Sequence, residues 1–500
     1  MNEDLKTLFE ILDECDAYGR AIGKIQFDME CCAPEEGIAR AGDDMAVLAK
    51  HIFDLTHSER YVELLCRLHA QREQLDTEQR RAVDCLYEDY CKTKNFSPAF
   101  SYEMDLVSNR AYGNWLKAKQ QNDFSIFRDS FADLVDYTRR ALDLRDALPG
   151  SYYDACLDDN EKGCSEEQLD AFFGALKERI LPLLRRILRE GKPIRSDFLK
   201  RPCPISQQEA MSRRLLRLEG LRESALVLMT TEHPFTTNFG ARDVRVTTHY
   251  YEENFISNIY STLHEGGHAL FMQNEPASFE ENHCADRMTN GMHECISRFY
   301  ENIVGRSEAF AEFILPVIHE LTGDTFRDVS ARELYEAVNI ASPCLIRMEA
   351  DELTYCLHIL VRYELEKEFV NGRISVDEVP SLWNAKYKEY LGLEVPSDSL
   401  GCLQDVHWSG YALGYFPSYA LGNAYGAQIL HRMQQDFDLT EVIRSGELFR
   451  VRDWLKEHVF SIAGLMSPDE WLRAVTGEPL NVNYYLDYLE RKFTELYALR

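Results

Sequence analysis

The sequence has no hydrophobic run of the length needed to cross a membrane. In its 500 residues no apolar stretch approaches the roughly 18 residues of a membrane helix. The N-terminus, MNEDLKTLFEILDECDAYGR, is acidic and amphipathic, and it lacks the basic start, apolar centre and small-residue cleavage site of a signal peptide. We therefore expect a cytoplasmic protein without a membrane partner.

The cysteines lack the spacing of a disulfide framework or a cysteine zinc site. There are 14, they are scattered, and no CxxC motif occurs. This usage indicates free thiols in a reducing compartment. An excess of positive charge is also missing, because the formal net charge is −29. Such a chain is repelled by nucleic acid, so we expect no nucleic-acid partner.

Interdomain linkers and internal repeats are missing as well. No tract is rich in Gly, Ser or Pro, which predicts a single domain over residues 1–500; a boundary within residues 148–205 is only weakly marked. Apolar residues recur at helical spacing, which predicts a mainly α fold. The predicted helical segments are 2–19, 39–56, 59–94, 102–147, 165–190 and 206–230.

Two segments depart from the helical pattern. From Ala241 the chain runs ARDVRVTTHYY, where alternating valines followed by threonines and tyrosines predict a short strand or small sheet. Residues 397–426 contain five glycines and the sequence GYFPSY, and we predict an ordered loop there.

The stretch STLHEGGHALF carries a pattern with metal chemistry. On a helix, His264 and His268 share one face and can bind a single metal ion. Glu265 is placed to take a proton from metal-bound water. This is the H-E-x-x-H pattern of zinc metallopeptidases. The two intervening residues are glycines, each costing about 1 kcal/mol against alanine in a helix, so we expect another element or the substrate to approach there closely.

Zinc in such a site needs a third protein ligand. A metzincin would have glycine and histidine at 271 and 274, but these positions hold Phe271 and Asn274. The remaining option is a glutamate on a later helix. The stretch GMHECISRFYEN offers Glu294, which we prefer, and Glu301, which lies on nearly the same helix face. Zn²⁺ is the expected ion.

Six ordered motifs resemble those of the carboxypeptidase Taq family of metallocarboxypeptidases, and weaker similarity covers nearly the whole chain. The motifs are HPF at His233–Phe235, DxRxT at Asp243–Thr247, HExxH at His264–His268, an HES-like motif at His293–Cys295, QDxHW at Gln404–Trp408 and GYFPxY at Gly414–Tyr419. Two departures occur: Cys295 and Ile296 stand where the family has serine and glutamine, and Phe27 replaces a tryptophan.

The resemblance implies a large helical zincin-like fold with a deep substrate groove and a small sheet beside the HExxH helix. The N-terminal helices, roughly residues 1–150, would form a wall or lid of the groove. It also implies a homodimer that removes single amino acids from peptide C-termini with broad specificity, using Zn²⁺ or Co²⁺.

The matched motifs also imply residue roles. His407 and Tyr419 are candidates to stabilise the oxyanion, with Tyr415 as a fallback. Arg347, in SPCLIRMEADELTY, resembles part of a substrate-binding helix and is the first candidate for the terminal carboxylate; Arg245 is the second. An ion pair of Arg347 with Asp351 is the structural alternative. We expect His233 to shape the groove.

Two other functions are compatible with parts of this pattern. An oligoendopeptidase or dipeptidase of a related helical zincin fold would share the HExxH helix, although the HPF and DxRxT motifs argue against it. A metal-free interaction protein with a dead site is disfavoured, because all three expected ligands and the general base are present.

Overall fold

The structure, a computed structural model, describes residues 3–499. The predicted helix 2–19 begins at Asn2, and the predicted domain begins at Met1 and ends at Arg500. These three residues lie outside the described range. The first helices are α1 (Glu3–Cys31), α2 (Ile38–Thr56), α3 (Glu59–Ala70), α4 (Thr77–Thr93), α5 (Pro98–Gln121), α6 (Ser125–Asp143), α7 (Tyr152–Asn160), α8 (Glu166–Glu190) and α9 (Ile205–Glu219). The strands are β1 (Leu226–Thr230), β2 (Thr236–Asn238) and β3 (Val244–Thr248). The remaining α-helices are α10 (Phe255–Asn274), α11 (Ala277–Glu281), α12 (Asn290–Arg298), α13 (Glu308–Thr322), α14 (Ala331–Val338), α15 (Tyr355–Val370), α16 (Val379–Leu391), α17 (Phe416–Met433), α18 (Leu439–Ser445), α19 (Phe449–Leu455), α20 (Ser461–Ala463), α21 (Pro468–Thr476) and α22 (Asn483–Leu496).

The local sequence explains how these helices form, and α8 shows it well. Ser165 caps its N-terminus: the hydroxyl accepts the amide of Gln168 at 3.4 Å, and the Gln168 side chain accepts the amide of Ser165 at 3.2 Å. Apolar residues at spacings of three and four then form one buried face, among them Leu169, Phe172 and Leu176.

The three strands form one small sheet in the order β1-β3-β2. β1 pairs with β3 in parallel, with Leu226 opposite Val244, and β2 pairs with β3 antiparallel, with Thr236 opposite Val246. The buried valines of β3 and the helix α10 lie on the same side of the sheet. The prediction of a mainly α fold with a small sheet beside the HExxH helix is confirmed.

The hydrophobic core divides the N-terminal helices into two groups. The main core extends from Val107 in α5 to Tyr497 and includes α5 and α6. Helices α1, α3 and α4 share a smaller core of their own, built on Leu8, Leu65 and neighbouring apolar residues. The first 150 residues therefore do not pack as one unit. Within residues 3–499, no helix combines the length and apolar character needed to span a membrane.

Several predicted boundaries were wrong. The segment 206–230 is helical only to Glu219, because Leu226–Thr230 is recruited as a strand by β3. The segments 59–94 and 102–147 each break into two helices. The predicted loop at 397–426 ends at Tyr415, and α17 begins at Phe416 with Pro417 in its first turn.

Candidate active site

Helices α10 and α12 bring together the three side chains that the sequence predicts as metal ligands. His264 and His268 lie one turn apart on α10, with ring centroids 5.0 Å apart. Helix α12 packs against α10 and carries Glu294. Its Oε2 lies 3.9 Å from Nε2 of His264, and its Oε1 lies 3.8 Å from Nε2 of His268. The three predicted ligands therefore converge on one point.

These residues fit a divalent metal ion. One ligand atom from each of His264, His268 and Glu294 lies within 4.8 Å of the others. Two ligand atoms bound at about 2.1 Å to one tetrahedral ion lie roughly 3.4 Å apart. Only a small inward movement of these side chains would therefore be needed to bind the ion. Two imidazoles and a carboxylate are a donor set that zinc accepts with a fourth position left open.

Glu301, the second candidate for the third ligand, contacts His264. Its Oε2 lies 3.0 Å from Nδ1 of His264 and accepts a hydrogen bond from Nη1 of Arg298 at 3.1 Å. Arg306 contacts the other oxygen at 3.4 Å. Burial alone would raise the pKa of Glu301, but Arg298 and His264 outweigh burial and hold the pKa well below its usual range. Glu301 thus fixes the His264 ring with its Nε2 facing Glu294.

His268 has a histidine partner on the neighbouring helix. Its Nδ1 lies 2.6 Å from Nδ1 of His293, and one of the two nitrogens must donate. The His293 ring is in turn stacked on Phe271, at a centroid distance of 5.0 Å. This contact orients the His268 ring and leaves its Nε2 facing Glu294.

Glu265 is held against the small sheet. The hydroxyl of Thr236, the first residue of β2, lies 2.7 Å from its Oε2 and 2.9 Å from its backbone oxygen. Glu265 is 7% exposed. Burial raises its pKa above the ordinary value, although His264 and the Thr236 hydrogen bond oppose the shift. The side chain is therefore a more basic carboxylate than a solvated one.

The two glycines of the HExxH segment each make room for a different neighbour. A Cβ at Gly267 would lie 2.7 Å from Cα of Ser297, so its absence lets the backbone of α12 approach α10. A Cβ at Gly266 would lie 1.8 Å from Oε2 of Glu219, at the end of α9. The expected close approach is therefore confirmed, and the approaching groups belong to the protein itself.

Helix α17 and the loop before it place three aromatic side chains together. Nε2 of His407 lies 3.2 Å from the Tyr419 hydroxyl, and the rings of Tyr415 and Tyr419 are 5.3 Å apart. Burial and the guanidinium of Arg347 lower the pKa of His407 to about 4, so the ring is neutral near pH 7. Burial and the charge of Glu294 raise the pKa of Tyr415 to about 12. All three are neutral hydrogen-bonding groups.

Arg347 is buried beside this cluster, but not on an α-helix as predicted. It begins a short 3₁₀ turn, Arg347–Glu349, and is 7% exposed. Its Nε and Nη2 contact Oδ1 of Asp405 at 3.0 and 2.9 Å. Asp405 also binds Arg362. The alternative pairing with Asp351 does not form, because the Asp351 carboxylate accepts backbone amides and the Thr354 hydroxyl.

Arg245 and His233 lie apart from the metal ligands. Arg245 points to the face of the sheet opposite α10, where it pairs with Asp243 at 3.0 Å and its guanidinium lies 4.9 Å from the ring centroid of Phe27 in α1. His233 is exposed in the turn before β2. Their substrate-binding roles stay predictions.

Three further side chains lie at the site that were not predicted from the sequence. Arg298 contacts both Glu294 and Glu301, and its four-residue spacing from Glu294 was an available signal. Tyr355 contacts Arg347 and is the last residue of the quoted stretch SPCLIRMEADELTY. Glu219 reaches Gly266 from α9, and no local pattern marks it.

Comparisons with known proteins agree with this arrangement. Residues 7–493 match the family described as carboxypeptidase Taq (M32) metallopeptidase. The chain belongs to this family. It is 35% identical to carboxypeptidase 1 of Bacillus subtilis, covering 99% of each chain, and 34% identical to thermostable carboxypeptidase 1 of Thermus thermophilus, covering 96% of this chain and 97% of that protein. The crystal structure of an M32 carboxypeptidase from Deinococcus radiodurans superposes with a TM-score of 0.95 at 31% identity, covering all of both chains.

The protein is thus a metallocarboxypeptidase that requires a divalent metal ion and acts on peptides. The two departures from the HES-like motif lie in its interior. Cys295 and Ile296 are both fully buried in the main core, on the helix that carries Glu294. Neither position is one of the three converging side chains.

Proposed function

We propose that this metallocarboxypeptidase uses Zn²⁺ held by His264, His268 and Glu294, with Glu265 as general base, and removes single amino acids with broad specificity. The convergence of the three ligand atoms beside a buried carboxylate carries this proposal. Co²⁺ accepts the same nitrogen and oxygen donors, so we expect it to support activity as well.

The proposed mechanism assigns proton transfer to Glu265. A divalent ion bound at the site would supply Lewis-acid activation of water and of the scissile carbonyl. Thr236 anchors the Glu265 carboxylate at Oε2, so its orientation is fixed before substrate arrives. Glu265 takes the proton from the attacking water and later gives it to the leaving amine.

Tyr419 and His407 are proposed to stabilise the oxyanion. The neutral His407 ring can donate from Nε2 to the Tyr419 oxygen, 3.2 Å away. The Tyr419 proton is then free to point at the carbonyl oxygen of the substrate. Tyr415, the fallback, lies beside Tyr419. A preorganised donor of this kind is worth about 3 kcal/mol of transition-state stabilisation.

Arg347 is proposed to bind the terminal carboxylate of the peptide. Asp405 fixes its guanidinium from one edge and leaves other N–H groups free to donate. Arg347 also lies 4.9 Å from the ring centroid of Tyr419, next to the proposed oxyanion donor. Recognition of a group that every C-terminus carries, rather than of a side chain, accounts for broad specificity. Arg245 is the second candidate, and His233 would shape the groove.

We also propose a cytoplasmic homodimer. All 14 cysteines are free, which suits a reducing compartment. Four large apolar side chains are exposed on α5, namely Tyr102, Leu106, Tyr112 and Leu116, and this face is a candidate contact between two copies. Light scattering coupled to size exclusion would give the mass in solution. The N-terminal helices remain proposed as a wall or lid of a single domain.

The test uses N-blocked peptides that differ in their last residue, each as the free acid and as the C-terminal amide. Mass spectrometry over time should show loss of one residue after another from the acids, across many final residues, and no cleavage of the amides. Internal fragments, or amides cut as fast as acids, would instead indicate an endopeptidase and overturn the proposal.

A further inference from the structure

The guanidinium of Arg347 has already committed most of its hydrogen-bond donors to the protein. Arginine has five N–H groups. Nε and one hydrogen of Nη2 face Oδ1 of Asp405, at 3.0 and 2.9 Å. Nη1 donates to the hydroxyl of Tyr355 at 3.0 Å. Two N–H groups therefore remain for a substrate carboxylate, whose two oxygens can accept about four hydrogen bonds.

Tyr355 lies where it can supply a further donor. It is the first residue of α15, and it is 5% exposed. The guanidinium of Arg298 lies 4.3 Å from its ring centroid, and the Tyr419 ring meets it edge-on at 6.4 Å. These contacts hold the ring between the Glu294–Arg298 pair on one side and Arg347 on the other.

The hydroxyl proton of Tyr355 has no acceptor among residues 3–499. The hydroxyl oxygen accepts the hydrogen bond from Arg347, so its own proton must point elsewhere. Burial raises the pKa of Tyr355 although Arg298 and Arg347 oppose the shift, so the hydroxyl keeps its proton at neutral pH. A buried hydroxyl with an unused proton, adjacent to a guanidinium, is suited to a carboxylate.

We propose that Tyr355 donates a hydrogen bond to the terminal carboxylate of the bound peptide, alongside Arg347. This inference rests on the proposed role of Arg347 and deepens it. A free carboxylate would then accept from the two remaining Arg347 donors and from Tyr355, and an amide, being uncharged and carrying N–H groups, would match these donors poorly. Arg298 positions the ring, which ties carboxylate recognition to the helix that carries Glu294.

The test compares wild type with Tyr355→Phe, which removes one oxygen and keeps the ring. Tyr363→Phe is the matched control, because Tyr363 is also buried on α15 and its hydroxyl contacts Asp170 rather than the site. Steady-state kinetics on one N-blocked dipeptide would be measured, together with competitive inhibition by the released amino acid and by its amide. Metal content and Tm would be recorded for each variant.

We expect Tyr355→Phe to raise KM and the Ki of the released amino acid roughly 10- to 100-fold, the effect of losing a hydrogen bond to a charged group, with kcat nearly unchanged. The Ki of the amide should change little, and Tyr363→Phe should match wild type. KM and both Ki values within twofold of wild type would overturn the inference. So would a fall in kcat at constant KM, which would place Tyr355 on the oxyanion, or an equal rise in both Ki values.

Failure of the proposed function would look different. In wild type itself, equal inhibition by the amino acid and its amide would show that the site does not recognise a terminal carboxylate at all. The metal and Tm measurements separate both outcomes from a folding defect, because a Tyr355→Phe protein with wild-type metal content and Tm has lost only its hydroxyl.

Discussion

Two buried carboxyl groups contact the metal-binding helix α10 from different elements, and their surroundings are opposite. Glu301 contacts His264 and is paired with Arg298 and Arg306. Glu219 contacts Gly266, is fully buried, and neither of its oxygens has a hydrogen-bond partner in residues 3–499. Burial raises the pKa of Glu219 well above its usual value, whereas the partners of Glu301 hold its pKa low.

The comparison indicates that ion-pair and hydrogen-bond partners, rather than the extent of burial, decide whether a carboxyl group beside α10 is charged. The Glu301 carboxylate is ionised and can strengthen the basicity of a ligand histidine through its hydrogen bond. Burial favours the neutral form of the Glu219 carboxyl, which occupies the space that Gly266 leaves. His264 and Gly266, two residues apart on α10, are thus contacted by an ion-paired carboxylate and by a carboxyl group whose burial favours the neutral form.

The largest effect is expected at Glu301. Glu301→Ala leaves Arg298 and Arg306 without their shared carboxylate and frees the His264 ring, so the free energy of unfolding should fall by about 3–5 kcal/mol and metal affinity 10- to 100-fold. Urea unfolding and zinc titration of the metal-free protein measure both. Glu308→Ala is the control, since its ion pair with Arg332 is half exposed and should be worth less than about 1 kcal/mol. Equal losses of unfolding free energy in Glu301→Ala and Glu308→Ala would contradict the special role of the buried Glu301 contacts.

The packing of Glu219 against Gly266 is tested by adding one methyl group at Gly266 or at Gly267. Gly266→Ala drives a Cβ into the Glu219 carboxyl and should cost about 1–3 kcal/mol of unfolding free energy. Adding Glu219→Ala to Gly266→Ala should remove this cost. The higher helix propensity of alanine should then raise the free energy of unfolding by about 1 kcal/mol. Gly267→Ala meets the α12 backbone instead, so Glu219→Ala should not rescue it. A double-mutant cycle by urea unfolding gives both couplings; equal coupling at both positions would contradict the assignment.

The smallest effect concerns pH. Because the pKa of Glu219 is higher in the folded than in the unfolded state, the folded state holds an extra proton between the two values. The free energy of unfolding therefore falls as pH rises above about 4.5, with a slope of up to about 1.4 kcal/mol per pH unit from this group. Glu219→Gln should remove that slope. The unfolding free energy of the Glu219→Gln variant, relative to wild type, should rise from pH 5 to pH 7. The control is Glu209→Gln, at a half-exposed residue of the same helix, and it should show no such trend. Parallel curves for Glu219→Gln and wild type would show that Glu219 is ionised when folded.

The same contrast explains how far the sequence could be interpreted. The HExxH helix was predictable because its ligands are local: two histidines at a four-residue spacing share a face wherever the helix is placed. Glu294 lies 26 residues beyond His268, and its place directly after His293, in the HES-like motif, favoured it over Glu301. The alternation of valines likewise predicted β3.

Other features depend on contacts that no local pattern contains. Leu226–Thr230 looks like the end of a helix until β3 pairs with it. Gly422 and Gly426 suggested a loop, but they lie in α17, where a Cβ at Gly422 would meet Glu294 at 2.7 Å. Glycines on α10 and α17 alike mark the places where α12 packs closely. The orientation of Arg347 is set by Asp405, which lies 58 residues away in the sequence.

The central claim is that Glu265 performs the proton transfer at a metal held by His264, His268 and Glu294. The direct measurement is peptide trimming by Glu265→Gln, alongside metal analysis of the same sample. The variant should retain one zinc ion per chain and release terminal amino acids roughly 100 to 10,000 times more slowly than wild type. A zinc-loaded variant that trims peptides as fast as wild type would contradict the account.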